Sequence, residues 1–382
     1  MSDLLAVAWD EARTVARDVG ALLVLVGAIL VYAVFYPQPY LPEVLRDVPV
    51  VVLDRDDTPA SRALARTVDA HELVAVARRT TDPAIARAVV LAGEAGGVLE
   101  IPADFARTIA RGEPATVGLF ADASTFLVYR QALTGLAESV RVFSARIELR
   151  RFAAGGSGAS EARARRDPIP LVVRSLYNPV EGYASYIVPA VLVLILQQTL
   201  LIGVGMLAGT RAEDTATRPP RRAAAGPATT VLGRALAYLA LYALHATLYF
   251  GLARRLFDFP ERGAAGDVAA LALPFLLAAI FLALAAGRLF RRRESAMQLL
   301  LFTSLPAIFL AGFAWPSEAV PPTIRALFLL LPSSSAIPAL LRVEQMGADL
   351  AAVRPELSTL WALAALYFVL AWLGERRARA RT

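Results

Sequence analysis

Apolar residues in this chain gather into runs of roughly twenty, divided by arginine-rich segments and by one long stretch of shorter runs. A helix needs ~20 apolar residues to cross a hydrocarbon core of ~30 Å. Six segments meet or nearly meet that length: 19–36, about 184–209, 231–253, 268–287, 296–315 and 357–373. The first is stopped by Pro37 and Pro39. It starts late and leads into Tyr-Pro-Gln-Pro-Tyr rather than a small-residue cleavage site, so it reads as an uncleaved anchor. Residues 4–18 alternate apolar and charged side chains at helical spacing, the pattern of an amphipathic helix lying flat on a membrane.

The segment between the first two spans has a different period. Strand-like runs at 48–53, 72–77, 97–101 and 115–120 alternate with helical spacing at 58–68, 82–91 and 105–111. This βαβαβαβ order predicts a small α/β domain. A long helical stretch follows, about 124–152, and then Ala-Gly-Gly-Ser-Gly-Ala-Ser, a flexible linker by composition. The predicted fold is a polytopic α-helical membrane protein of six transmembrane helices with an inserted extracytoplasmic α/β domain and a long helix. Its parts are an amphipathic helix over 1–18, a first span over 19–36, the α/β domain and linker over 37–180, and five further spans over 181–382.

Composition sharpens this picture. The 382 residues are 57% hydrophobic, with a mean hydropathy of +0.53, more apolar than ordinary soluble domains. The chain has no cysteine, which excludes disulfides and thiolate metal sites, and its two histidines, His71 and His245, are too far apart in sequence to suggest zinc. It also has no lysine: all 39 basic residues are arginine. A Walker A loop needs its lysine on the β/γ-phosphates, so the chain is not a standard P-loop ATPase by itself. Schiff-base chemistry on a lysine is excluded likewise. The net charge of +6 is read as a topology signal rather than a nucleic-acid footprint.

Arginine placement sets the orientation. Arg211, Arg218, Arg221, Arg222 and Arg234 lie between the second and third spans, Arg288 and Arg291 to Arg293 after the fourth, and Arg376, Arg377, Arg379 and Arg381 after the sixth. With six spans all three clusters share one side, which is the cytoplasm, and both termini lie there. Arg254 and Arg255 fall on the opposite side, where snorkelling is expected to carry them to the interface.

Several residues are candidates for chemistry. Val-Val-Val-Leu-Asp-Arg-Asp-Asp-Thr, 50–58, locally resembles the strand-then-DxDxT pattern of haloacid-dehalogenase phosphatases at Asp54, Asp56 and Thr58. The alternative is a strand end turning into a helix capped by Asp56, Asp57 or Thr58, with Pro59 in its first turn. The absence of lysine and of a following acidic pair favours the cap. Gln197 and Gln198 near the centre of the second span, and His245 in the third, either hold the bundle by interhelical hydrogen bonds or line a substrate path. The loop after the second span, carrying Arg211, Glu213, Asp214, Thr215, Arg218, Arg221 and Arg222, is a docking surface for a cytoplasmic partner or a solvated loop. After the fifth span, Trp315, Pro316, Glu318, Pro321 and Pro322 precede a proline-bracketed helix too short to span. That pattern predicts a re-entrant outer hairpin near 316–342, with Phe313 and Trp315 at the interface.

Gly-Phe-Ala-Trp-Pro-Ser-Glu-Ala-Val-Pro-Pro, then Leu-Pro-Ser-Ser-Ser at 331–335 and Leu-Leu-Arg-Val-Glu-Gln-Met-Gly at 340–347, resemble the C-terminal signature of type-2 ABC transporter permeases. Arg-Ser-Leu-Tyr-Asn-Pro at 174–179 with Tyr-Ile-Val-Pro at 186–189 is similar to their approach to the second span. The resemblance covers essentially the whole chain. It implies an exporter permease in the bacterial inner membrane, a transport subunit and not an enzyme. Two such subunits, copies or paralogues, would pair with cytoplasmic ABC ATPase subunits that hold the ATP and Mg; a periplasmic membrane-fusion adaptor is the further partner implied. The resemblance places the coupling helix near 211–222, although the glycine of the family's Gly-Thr is missing before Thr215 and Pro219–Pro220 are added. The alternative function is a membrane receptor or scaffold that binds through its outer domain and transports nothing.

Overall fold

The computed structural model describes residues 3–156, 158–167, 169, 171, 173–217 and 225–380. Helix α1 (Asp3–Arg17) is followed by the apolar helix α2 (Val19–Tyr40), whose start is fixed by Asp18, which accepts from the Ala21 N–H at 2.9 Å. The chain then divides into two compact units, 1–43 with 175–382, and 44–174.

The smaller unit comprises β1 (Val48–Asp54), α3 (Pro59–Asp69), β2 (Val74–Thr80), α4 (Pro83–Leu91), β3 (Gly97–Ile101), α5 (Phe105–Ala110), β4 (Gly118–Ala121), the long α6 (Phe126–Ala154) and α7 (Ala159–Arg166). The sheet order is β2-β1-β3-β4, with β1 parallel to both neighbours and β4 antiparallel to β3. An unbroken Val-Val-Val-Leu run suits a strand covered on both faces. Val48, Val50 and Val52 pack on α3 and α6 through Leu64, Val68 and Leu136, while Val51 and Leu53 face Ala86 and Val89 of α4.

Strand β2 runs three residues beyond the predicted 72–77, because Arg78 and Arg79 break the apolar pattern but are accommodated on an edge strand. The expected linker is shorter than its composition suggests: α7 begins at Ala159 and returns to α6 through Arg166 and Glu148 at 3.3 Å.

The larger unit adds α8 (Tyr183–Thr217), α9 (Pro227–Leu256), α10 (Ala265–Gly287), α11 (Arg293–Phe302), α12 (Ser304–Leu310), α13 (Pro322–Phe328), α14 (Pro332–Met346) and α15 (Arg354–Ala380). Helices α2, α8, α9, α10 and α15 are long and apolar enough to cross a membrane. Helix α8 is buried on nearly all sides and forms the centre of the bundle, as expected of a helix apolar all round.

The predicted fifth span, 296–315, is not one helix. It breaks at Thr303 into α11 and α12, neither of which is long enough alone. Pro306 explains the break: it has no N–H for the Phe302 carbonyl, and its ring crowds that group. Gly312, at φ +83°, then ends the segment. The sixth apolar element by length is instead the pair α13 and α14, bent by 87°.

Candidate functional site

Three arginine-bearing segments far apart in sequence meet at one end of the helical unit. Glu11 of α1 is 4% exposed, and its carboxylate lies 2.6 Å from Arg211 of α8 and 3.4 Å from Arg234 of α9, while the Tyr238 hydroxyl donates to it at 2.5 Å. Arg234 also reaches Glu375 of α15 at 3.6 Å, and Glu375 pairs further with Arg288 and, at 3.2 Å, with Arg379. Arg379 donates in turn to Thr230 at 2.7 Å. Two acids thus tie the ends of five helices together. Helix α1 reaches this place because Gly233 has no side chain; a Cβ there would sit 2.7 Å from Val7.

A second knot adjoins the first. Arg293 grips Asp18 with two nitrogens, at 2.5 and 2.7 Å, and its own N–H donates to Glu213 at 3.2 Å. Those hydrogen bonds from Arg293 hold the Asp18 carboxyl below the ordinary range. A Cβ on Gly209 would fall 2.6 Å from the Arg292–Arg293 backbone, so α8 touches the start of α11 directly. The sequence-predicted docking residues therefore divide. Arg211 and Glu213 fasten α8 to α1 and α11; Asp214 is exposed. Arg218, Arg221, Arg222 and the side chain of Thr215 lie outside the described residues.

The opposite end carries features that sequence reasoning missed. Tyr32, Tyr36, Tyr40, Tyr183 and Tyr186 form a chain of ring contacts, with centroids 6.5, 5.5, 5.5 and 6.3 Å apart. The spacing of Tyr32, Tyr36 and Tyr40 is one turn each and was a legible signal for an interfacial belt. Beside them Glu43 closes the start of α8, accepting from the Ser185 N–H at 3.0 Å and its hydroxyl at 2.6 Å.

Arg254, expected to snorkel, does not. It is 2% exposed, pairs with Glu344 of α14 and donates to the Pro260 carbonyl at 3.0 Å. Burial with a carboxylate partner takes the place of reaching for water. Arg255 remains exposed, 3.7 Å from Glu261.

Between the two ends, Gln197 and Gln198 are buried in α8. Neighbours in a helix point ~100° apart. Gln197 accepts the Ser333 N–H at 2.8 Å and so caps α14, whose first turn otherwise has no side-chain cap. The Gln197 amide nitrogen and the Ser333 hydroxyl have no partner among the described residues. His245 stands edge-on to Tyr242 at 5.2 Å, and Tyr242 bonds Thr199 at 3.0 Å. Gln198 Oε1 and His245 Nδ1 are likewise buried without a hydrogen-bond partner among the described residues. In the segment after α12, Trp315, Pro316, Glu318, Pro321 and Pro322 are exposed, whereas Phe313 is buried.

Asp54 is a lock. Its carboxylate accepts from the N–H groups of Asp56 and Asp57 at 3.1 and 2.9 Å, from Ser61 at 2.8 Å and from Arg79 at 2.6 Å. Burial pushes its pKa up, but these donors outweigh burial and hold it below the ordinary carboxylate range. Thr58 caps α3 in a reciprocal box with Ser61, and Asp56 accepts from Thr58 at 2.5 Å and the Ala106 N–H at 3.2 Å. A carboxylate so fully engaged is poorly placed to act as a nucleophile. Asp54→Asn is expected to cost about 1–3 kcal/mol, seen as faster hydrogen exchange of the β1 amides; unchanged protection would show that the lock is not needed.

No match is found among curated proteins. The sequence profile of the ABC-2 family transporter proteins, however, matches residues 20–373, which take in the α/β unit and the long apolar helices. The chain therefore belongs to the ABC-2 family and is a membrane subunit of an ABC transporter.

Proposed function

We propose that this subunit is the permease of an exporter in the bacterial inner membrane, moving its cargo by alternating access driven by a separate ATPase. One observation carries the reading: α1 and the arginine-bearing ends of α8, α9, α10 and α15 converge on Glu11 and Glu375. A force applied at that end would reach every one of those helices at once. Excess arginine at one end favours the cytoplasm, which puts both termini there and the α/β unit outside. With no lysine for a Walker A loop, ATP and Mg belong on a partner ABC ATPase. The working assembly would contain a second permease, a copy or a paralogue, and a periplasmic adaptor at the outer unit.

Nucleotide can move such a bundle only through its different affinity for the inward- and outward-facing states. The 211–222 segment is the proposed place where the ATPase bears on it. Gln197, Gln198 and His245 are the polar groups a translocation path would meet, and the Gln197–Ser333 bond is one of the contacts between α8 and α14 that a moving outer hairpin would break. The test is co-purification with the ATPase encoded beside this chain. Scrambling 211–222 should abolish the permease-dependent part of ATP hydrolysis while leaving the ATPase's own basal rate. Hydrolysis that is indifferent to the scramble would remove this coupling assignment.

A further inference from the structure

The 44–174 unit contains a groove of about 980 Å³ between α3 and α6, a size at the upper end of small-molecule sites. Its floor is apolar, made mainly by Val142, Phe143 and Ile147 of α6, and Val142 is 44% exposed. Arg66 of α3 and Arg146 and Arg150 of α6 stand around that floor. Arg146 and Arg150 are one turn apart and project from the same face. No aspartate or glutamate lines the groove, and among the described residues none of these three arginines is in an ion pair. The nearby acid Glu138 is taken up by His71 at 3.1 Å, and Arg151 donates to the Ile109 carbonyl.

We infer that this groove binds an anionic amphiphile, with a carboxylate or phosphate head held by Arg66, Arg146 and Arg150 and an alkyl chain along the Val142–Phe143–Ile147 floor. Guanidinium forks match such heads in geometry and charge. The apolar floor is what an inorganic anion would leave unused, and covering it favours a ligand with an alkyl chain. The assignment stands on the groove alone and does not rest on the transport reading.

Photo-crosslinking of the full chain in nanodiscs tests it without confusion from partition into lipid. The probes are a diazirine-bearing long-chain fatty acid, the corresponding alcohol, and a diazirine phosphatidylglycerol in the disc. The acid or the phosphatidylglycerol should label peptides covering 59–71 and 139–154, and whichever labels names the source of the head group. The alcohol should label them at least about tenfold less. R66Q/R146Q/R150Q should lose labelling by a similar factor, and R66K/R146K/R150K, which keeps the charge, should retain much of it. Equal labelling by acid and alcohol, labelling undiminished in the glutamine variant, or labelling confined to the apolar helices would each overturn the assignment. Hydrogen exchange of β1 in the variants separates loss of the site from loss of the fold.

Discussion

Glu344→Ala is expected to lower the stability of the helical unit by about 3–5 kcal/mol. The reason is the state it leaves behind. Arg254 and Glu344 are 2% and 3% exposed, the most deeply buried ion pair among the described residues. Removing the carboxylate leaves a buried guanidinium with the Pro260 carbonyl at 3.0 Å and, among the described residues, only the more distant charge of Glu261 to oppose it. The backbone carbonyl of Glu344, which accepts from Arg262 at 2.8 Å and Gly263 at 3.2 Å, survives the substitution, so the loss reports the side chain and not the backbone contacts. Arg254→Met with Glu344→Leu should recover most of the loss, because neither charge is then stranded. Equilibrium unfolding in mixed micelles measures all three proteins. A single-variant loss below about 1 kcal/mol would mean that Arg254 reaches water after all.

That pair also marks the limit of what the sequence could disclose. Hydropathy marked α2, α8, α9, α10 and α15 because each is a long apolar run, and β1 because four buried residues follow one another. The same reasoning joined 296–315 into one span, since an average over twenty residues does not register what Pro306 does to a single carbonyl. Arg254 had the wrong sign for its side, and the arithmetic of charge offered only snorkelling; its partner lies 90 residues on, where no local pattern points. Arg79 lay beyond the strand-like run that ended at 77, although it reaches Asp54 across the sheet. The segment from Arg211 on read as a charged loop, but its described part continues α8 as far as Thr217. That Arg211 turns inward to Glu11 and Glu213 reaches the Arg293 N–H is a property of the packed bundle.

Glu11→Gln should be as costly as Glu344→Ala, about 3–5 kcal/mol, and should act on coupling as well. The substitution keeps volume but removes the anion shared by Arg211, Arg234 and the Tyr238 hydroxyl. Two guanidiniums would then face each other without the charge that separates them. The signature that distinguishes this from simple misfolding is its pH dependence. Burial pushes the Glu11 carboxyl up, but Arg211, Arg234 and the hydrogen bonds from Arg211 and Tyr238 outweigh burial and hold it below its ordinary 4.5. A depressed pKa in the folded state gives stability that is fully present above 4.5 and is lost as pH falls through the lower folded value. Melting of the wild type should therefore drop on acidification below that point, and the drop should be smaller in Glu11→Gln. Asp18 shifts in the same direction through Arg293 and is present in both proteins, so the difference between the two curves isolates Glu11. Parallel curves would mean that Glu11 is not held as its contacts require. On the proposal that the ATPase bears on the 211–222 segment, Glu11 is the link from Arg211 to Arg234, so the same variant should also uncouple hydrolysis from the permease at neutral pH.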